Sequence, residues 1–150
     1  SSARTGLESR LIHRRPRFSP KSTMTESEYK ATSVQMAWDN HFAAFGTQDM
    51  EKILLDYDET SVASIFDWTS GEVTTYKGLS GITELFTKLF KELTDMSEMA
   101  GSVVEVVEDP KSAWVCWKCP SSGIISATDT FIFGDDFKIK RQNVVMTKKA

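Results

Sequence analysis

The segment TDTFIFGDDFKIKRQNVVM, residues 128–146, contains two strand patterns separated by a glycine-containing turn. Successive residues of a strand point to opposite faces, so Asp129 shares a face with Phe131 and Phe133. On the second strand, Gln142 lies among apolar residues in the same way. The segment therefore predicts two paired strands that carry a carboxylate and an amide on an apolar face.

The rest of the chain supplies helices first and strands afterwards. Helical patterns cover residues 27–45, residues 49–57 and the stretch after Gly78, while two short strand patterns, SVASIFDW and EVTTYKG, separate the second helix from the third. The strand patterns SVVEVVE and SAWVCWKC then lead into residues 124–146. Three helices followed by a long antiparallel meander predict an α+β fold with helices packed on one side of a sheet.

Composition and charge exclude several classes of protein. A chain of 150 residues, 40% of them hydrophobic, suits one domain with a sizeable core. Residues 1–23 contain six basic residues and one acidic residue, whereas residues 24–150 contain twelve basic and twenty acidic residues. A body this acidic is unsuited to nucleic acid, and no apolar run approaches the ~18 residues of a membrane-spanning helix.

The basic segment 1–23 is predicted to be disordered and is set apart from the domain, which we expect at residues 24–150. It is rich in Arg and Ser, has no apolar run of the secretory type, and precedes Met24, a plausible natural start. Vector-derived sequence, a translated leader and an organelle transit peptide all remain open. We expect a cytoplasmic protein, or an organellar one if the segment is a genuine transit peptide.

The two cysteines of the chain form the motif CWKC at residues 116–119. The motif reads as the end of a strand, where residues three apart point to opposite faces. A redox pair would instead need a helix N-terminus, and no second CxxC completes a zinc site. Two ordinary reduced thiols are predicted, which suits an intracellular protein.

The order of elements resembles the nuclear transport factor 2-like superfamily, which includes SnoaL-like polyketide cyclases and ketosteroid isomerases. The closest local cues are AAFGTQDMEKILLDYDETSV, YKGLSGITELF and TDTFIFGDDFKIKRQNVVM. The resemblance implies a cone-shaped α+β barrel, in which a curved antiparallel sheet wraps around three helices and encloses an apolar cavity. It also implies a homodimer through the outer sheet face, consistent with SAWVCWKC and NVVM being apolar on both faces.

The resemblance to ketosteroid isomerases assigns provisional roles to three residues. Asp129 falls where that family has the aspartic acid of its oxyanion hole, and His41 falls where it has a hydroxyl-donating tyrosine. Ser64 occupies roughly the position of the proton-abstracting aspartate, so the isomerase base is absent. SnoaL-like cyclases also rely on an acidic residue in the pocket, for which Asp129 is the equivalent.

The sequence pattern alone selects His41 and Asp129 as candidate catalytic residues, because each lies on an apolar face. Either residue could instead be structural, His41 bonded to a backbone carbonyl and Asp129 paired with His41, Arg141 or backbone donors. The acidic cluster Asp56, Asp58 and Glu59 is predicted to be a solvated loop, and no metal or cofactor is expected. The candidate ligand-binding residues, whose aromatic members could equally be core, are Trp38, Tyr57, Trp68, Trp117, Phe131 and Gln142.

Two functions follow from this pattern. One is a cofactor-free acid–base enzyme of the isomerase or cyclase type, which acts through His41 and Asp129 on a small apolar molecule. The other is a non-catalytic ligand-binding or dimerisation module. A cavity below ~100 Å³ would favour the module, because ligand pockets run to roughly 300 Å³ or more.

Overall fold

The computed structural model describes residues 29–150. The predicted leader at residues 1–23, the start of the domain at residue 24 and the first two residues of the predicted first helix lie outside this range. The helices are α1 Val34–Gly46, α2 Met50–Leu54 and α3 Gly78–Glu92. The strands are β1 Val62–Asp67, β2 Glu72–Lys77, β3 Val103–Val107, β4 Ser112–Cys119, β5 Ile124–Phe133 and β6 Ile139–Lys148.

Helix α1 begins later than predicted because its start is fixed by two caps. The Ser33 side chain accepts a hydrogen bond from the Met36 backbone N–H at 3.0 Å. The Glu108 carboxylate accepts from the backbone N–H groups of Val34 and Gln35, both at 3.0 Å. These bonds satisfy N–H groups that have no partner within the helix, so the predicted start at residue 27 is replaced by Val34.

The six strands form one curved, unclosed sheet in the order β2-β1-β6-β5-β4-β3. The predicted α+β class is confirmed, with one departure: the sheet is mixed, because β1 lies parallel to β6. All other neighbouring pairs are antiparallel. Strands β2–β5 and helix α3 lie between β1 and β6 in the chain. One edge of β6 pairs with β5, and the hairpin β1–β2 pairs with the other edge through β1, which runs parallel to β6.

The inner face of the sheet packs against the helices and contains the core. Along β5, Ala127, Asp129, Phe131 and Phe133 are all buried, so the predicted alternation is confirmed. The outer face, turned away from the helices, leaves large apolar side chains exposed. They include Trp114 at 40%, Ile132 at 44% and Val145 at 42%.

The two thiols lie on opposite faces of β4, as predicted. Cys119 is fully buried and donates to the Asp95 carbonyl at 2.7 Å, while Cys116 is half-buried beside Thr128. Both cysteines are free. Between residues 29 and 150, no helix is both long enough and apolar enough to span a membrane.

Candidate functional site

A small chamber lies between the inner sheet face and helices α1 and α3. Its volume is about 40 Å³, enough for a few water molecules. Apolar and aromatic side chains dominate its walls, and the polar side chains that reach it are those of His41, Asp129, Gln142 and Ser102, together with the Trp117 indole. Phe42, Phe45, Met99 and Ser102 are exposed or half-buried, so they mark the mouth of the chamber.

Asp129 is held by two neutral donors from neighbouring strands. Its Oδ1 accepts from Trp117 Nε1 at 2.9 Å on β4, and its Oδ2 accepts from Gln142 Nε2 at 3.0 Å on β6. Gln142 in turn accepts from the Tyr57 hydroxyl at 2.6 Å, so four side chains form one buried network. The alternative pairing with Arg141 is wrong, because that side chain bonds to Ser64 and Asn143 on the outer face.

Burial sets the ionisation behaviour of the network. Burial raises the pKa of Asp129, while the hydrogen bonds from Trp117 and Gln142, and the charge of nearby His41 when that ring is protonated, oppose the rise. Burial also raises the pKa of Tyr57, helped by the negative charges of Asp56 and Asp129. The phenol therefore remains protonated at neutral pH, as its role as a donor to Gln142 requires.

His41, on α1, is surrounded by aromatic rings from several parts of the fold. The ring centroids of Trp38, Tyr57, Phe86 and Phe131 lie 5.2–6.0 Å from the imidazole. Its Nδ1 has no hydrogen-bond partner, and among the buried side-chain nitrogens and oxygens of residues 29–150 it alone lacks one. The alternative of a core histidine satisfied by a backbone carbonyl is therefore not realised at Nδ1.

Asp56 is the residue that sequence reasoning missed. The prediction of a solvated acidic loop is wrong for this residue, which is 1% exposed, although Glu59 is exposed as expected. Asp56 Oδ2 lies 3.7 Å from His41 Nδ1. A usable signal was present in the spacing: Asp56 follows the buried Ile53 by three residues, which places both on one face of a helical turn.

The structure gathers most of the predicted ligand-binding residues and leaves one apart. Trp38, Trp117, Phe131 and Gln142 line the chamber, and Tyr57 lies directly behind Gln142. Trp68 does not line the chamber: it is 66% exposed, and its ring packs 4.7 Å from that of Phe66.

Ser64, which the resemblance aligned with the isomerase base, also lies away from the chamber. Its hydroxyl bonds to Thr75 at 3.0 Å and accepts from Arg141 at 3.1 Å, on the outer face. In the part of the chain that the structure describes, no group of three His, Cys, Asp or Glu side chains is arranged to hold a metal ion.

Comparison with known proteins yields similarities in structure alone. No family model matches the sequence, and no curated protein is significantly similar to it. A Bacillus subtilis protein provisionally described as an isomerase superposes with a TM-score of 0.58 at 16% identity, covering 82% of this chain and 89% of that one. A protein of cystatin-like fold from Methylobium petroleophilum gives 0.55 at 10% identity, covering 75% and 74%.

A third similar structure, that of TerC co-crystallised with polyporic acid, gives a TM-score of 0.50 at 15% identity and covers 75% of this chain and 90% of that one. At these identities the similarity concerns the fold. In this chain two helices, a strand pair, a third helix and four further strands follow one another, which is the order expected from the sequence. The chain has an α+β fold of the kind that its resemblance to the nuclear transport factor 2-like superfamily implies.

Proposed function

We propose that the chamber binds a small apolar cyclic molecule and that His41 and Asp129 move a proton on it. The observation that carries the proposal is that the carboxyl group of Asp129 and the imidazole of His41 line one apolar chamber. Such groups, shielded from water, are the usual partners of general acid–base chemistry. The proposed class is a cofactor-free isomerase or cyclase type of reaction.

Asp129 is suited to accept a proton. Both of its oxygens receive hydrogen bonds, so the arrangement holds the carboxylate in place. Because burial raises its pKa, the carboxylate is a stronger base than an exposed aspartate. His41 lines the same chamber and would accept or return the second proton that an isomerisation needs.

The chamber must widen before it takes a ligand, since 40 Å³ is well below the roughly 300 Å³ of a typical pocket. The residues at its mouth, Phe42, Phe45 and Met99, are only partly buried, so side-chain rotations can open it. The co-crystal of TerC with polyporic acid supports this reading, because a protein of similar fold was crystallised with an organic ligand.

A first experiment tests entry into the chamber. Phenol, an apolar ring with one hydroxyl, would be titrated into nitrogen-15-labelled protein while the four tryptophan indole signals are followed. We expect the signals of Trp38 and Trp117 to shift and that of the exposed Trp68 to remain, with assignments from single Trp→Phe variants. If saturating phenol leaves Trp38 and Trp117 unmoved, the ligand-binding proposal is wrong.

A second experiment tests catalysis without knowledge of the natural substrate. Exchange of the α-protons of cyclohexanone would be followed by proton spectra in deuterium oxide. We expect exchange faster than in buffer, falling by about 10²–10⁴-fold in Asp129→Asn and His41→Ala, as expected for lost general base catalysis. Trp68→Ala is the matched control and should exchange normally. If the protein binds phenol but cyclohexanone exchanges no faster than in buffer, the catalytic part of the proposal is wrong and the ligand-binding part stands.

The second candidate, a non-catalytic binding or dimerisation module, is favoured by the small chamber and the apolar outer face. Trp114, Ile132 and Val145 would meet their copies in a homodimer through the sheet. Light scattering after size exclusion should then give a dimer mass, and Trp114→Glu should give a monomer. A monomer mass for the parent at micromolar concentration would refute the dimer.

We also propose a cytoplasmic location, which the two free thiols support.

A further inference from the structure

We propose that Asp56 is a positioning residue that accepts the Nδ1 proton of His41, so that the neutral imidazole presents its Nε2 lone pair to the chamber. The inference rests on the proposed function, since it explains how His41 would be prepared to accept a proton. It begins from the one buried polar atom that the rest of the described fold leaves without a partner.

Within residues 29–150 the Nδ1 atom of His41 has no hydrogen-bond partner, and it faces the carboxylate of Asp56. Asp56 Oδ2 lies 3.7 Å away, and both side chains are almost completely buried, at 5% and 1% exposure. This separation exceeds a normal hydrogen bond of 2.7–3.2 Å by about half an ångström. Catalytic hydrogen bonds are often long in unliganded proteins and shorten when a ligand closes the site.

Asp56 is fixed in place by bonds from several elements. Asn40 on α1 donates to Oδ2 at 2.9 Å, and the Tyr29 hydroxyl donates to Oδ1 at 3.4 Å. The Asp56 backbone N–H bonds to the Ile53 carbonyl at 3.0 Å, while its carbonyl accepts from Ile139 on β6 at 2.7 Å. The carboxylate therefore faces His41 from a rigid support, and within residues 29–150 its only charge contact is with that imidazole.

The chemistry of the two side chains then determines the tautomer. A carboxylate can only accept, so a hydrogen bond between Asp56 and Nδ1 requires the proton to be on Nδ1. The two imidazole nitrogens are distinct, and fixing a proton on one leaves the other as an acceptor. The other charged group that acts on His41 is Asp129 across the chamber, and the Tyr57 hydroxyl is already used by Gln142.

The arrangement divides the work between two carboxylates. Asp56 would hold the ring and its proton from behind, and Asp129 would share the chamber with the free nitrogen. Asp56 touches no ligand in this scheme, because it is not among the residues that line the chamber. Its effect is exerted through His41 alone.

Proton–nitrogen correlation spectra of the imidazole ring test the inference without any ligand. The only other histidine is His13, so His13→Gln leaves a single histidine to observe. Spectra are taken above the titration midpoint of His41, which its own pH series defines. We expect the Nδ1–H form to exceed the Nε2–H form by about tenfold or more, as a net hydrogen bond to a charged group supplies. A dominant Nε2–H form in this protein would overturn the inference.

Two variants separate positioning from mere structural support. Asp56→Ala should shift the population toward Nε2–H, whereas Tyr29→Phe removes another partner of Asp56 and should leave the tautomer unchanged. If Asp56→Ala does not fold, Asp56→Asn keeps the shape, and weaker preference for Nδ1–H is expected there. An unchanged tautomer ratio in every folded Asp56 variant would contradict the proposal.

The outcome is independent of whether the chamber binds phenol or exchanges cyclohexanone. If the Nδ1–H tautomer is found but phenol does not bind and cyclohexanone does not exchange, the role of Asp56 stands and the proposed function is wrong. A protein that exchanges cyclohexanone with His41 in the Nε2–H form would retain the function and lose the role of Asp56.

Discussion

Replacing Asp129 by asparagine removes a buried charge while keeping the shape of the side chain. Two partners would remain satisfied: the new amide oxygen accepts from Trp117, and the new amide nitrogen donates to Gln142 once that amide turns over. Gln142 would then donate to the Tyr57 oxygen instead of accepting from its hydroxyl. The donors of Trp117, of the new amide and of Gln142 each keep an acceptor, and only the Tyr57 hydroxyl proton loses its own, so most of the network survives the change.

The change in unfolding free energy follows from the pKa of Asp129, which burial raises. Each unit by which the folded pKa exceeds the unfolded value corresponds to about 1.4 kcal/mol of stability lost when the group is ionised. The folded state binds the extra proton between the ordinary value of 3.8 and its raised pKa. Wild-type stability therefore falls as pH rises through that window, and the asparagine variant lacks this slope.

Urea unfolding of both proteins at several pH values measures the effect. We expect Asp129→Asn to be at least as stable as the parent at pH 7, with its advantage shrinking as pH falls toward 3.8. Asp129→Leu is the control: it leaves the Trp117 and Gln142 donors unpaired, at a cost of about 1–3 kcal/mol each. A loss of about 3 kcal/mol or more in the asparagine variant at pH 7 would refute the reasoning, because it would indicate a broken buried ion pair.

Two further predictions concern the core and the surface. Phe86→Ala should lower the free energy of unfolding in urea by about 3–5 kcal/mol, because this ring is 1% exposed. Phe42 is 42% exposed, so Phe42→Ala should lower it by less than about 1 kcal/mol. Equal losses would contradict the placement of the core. The pKa of Asp58 is lowered to about 2, since burial, which raises it, is outweighed by hydrogen bonds, the largest of them from Lys140. The resulting stability is present above the ordinary value of 3.8 and is lost as pH falls toward 2. Melting temperatures between pH 5 and 2 should thus fall less steeply in Lys140→Met, and an unchanged slope would show that this ion pair does not contribute.

Much of the fold was predictable because long amphipathic segments carry a strong periodic signal. The alternation along β5 placed Asp129 correctly, and the helical pattern after Gly78 correctly predicted α3. The parallel pairing of β1 with β6 was not predictable, since period and turn residues report only on neighbours in sequence. The true start of α1 was missed because Glu108, which caps it, lies about 74 residues away.

The site was less predictable because its polar contacts are tertiary. His41 and Asp129 were found as polar residues on apolar faces, which is a local signal. The partners of Asp129, Trp117 and Gln142, are adjacent to it only through strand register, which the sequence does not encode in any single segment. Asp56 was misassigned because it was grouped with two nearby acidic residues, the half-buried Asp58 and the exposed Glu59, although its own side chain turns inward.

Apart from the second N–H of Gln142, the polar groups of the chamber, as arranged, offer acceptors rather than donors. Tyr57 gives its proton to Gln142, and Trp117 gives its proton to Asp129, so neither is available to an oxyanion. A ligand that brings its own donor therefore fits better than one that brings only an acceptor. We expect phenol to bind at least about tenfold more tightly than anisole, since a ligand without a donor leaves buried acceptors unpaired. Indole shifts of Trp117 measure both affinities, and equal binding of the two would show that the chamber recognises shape alone.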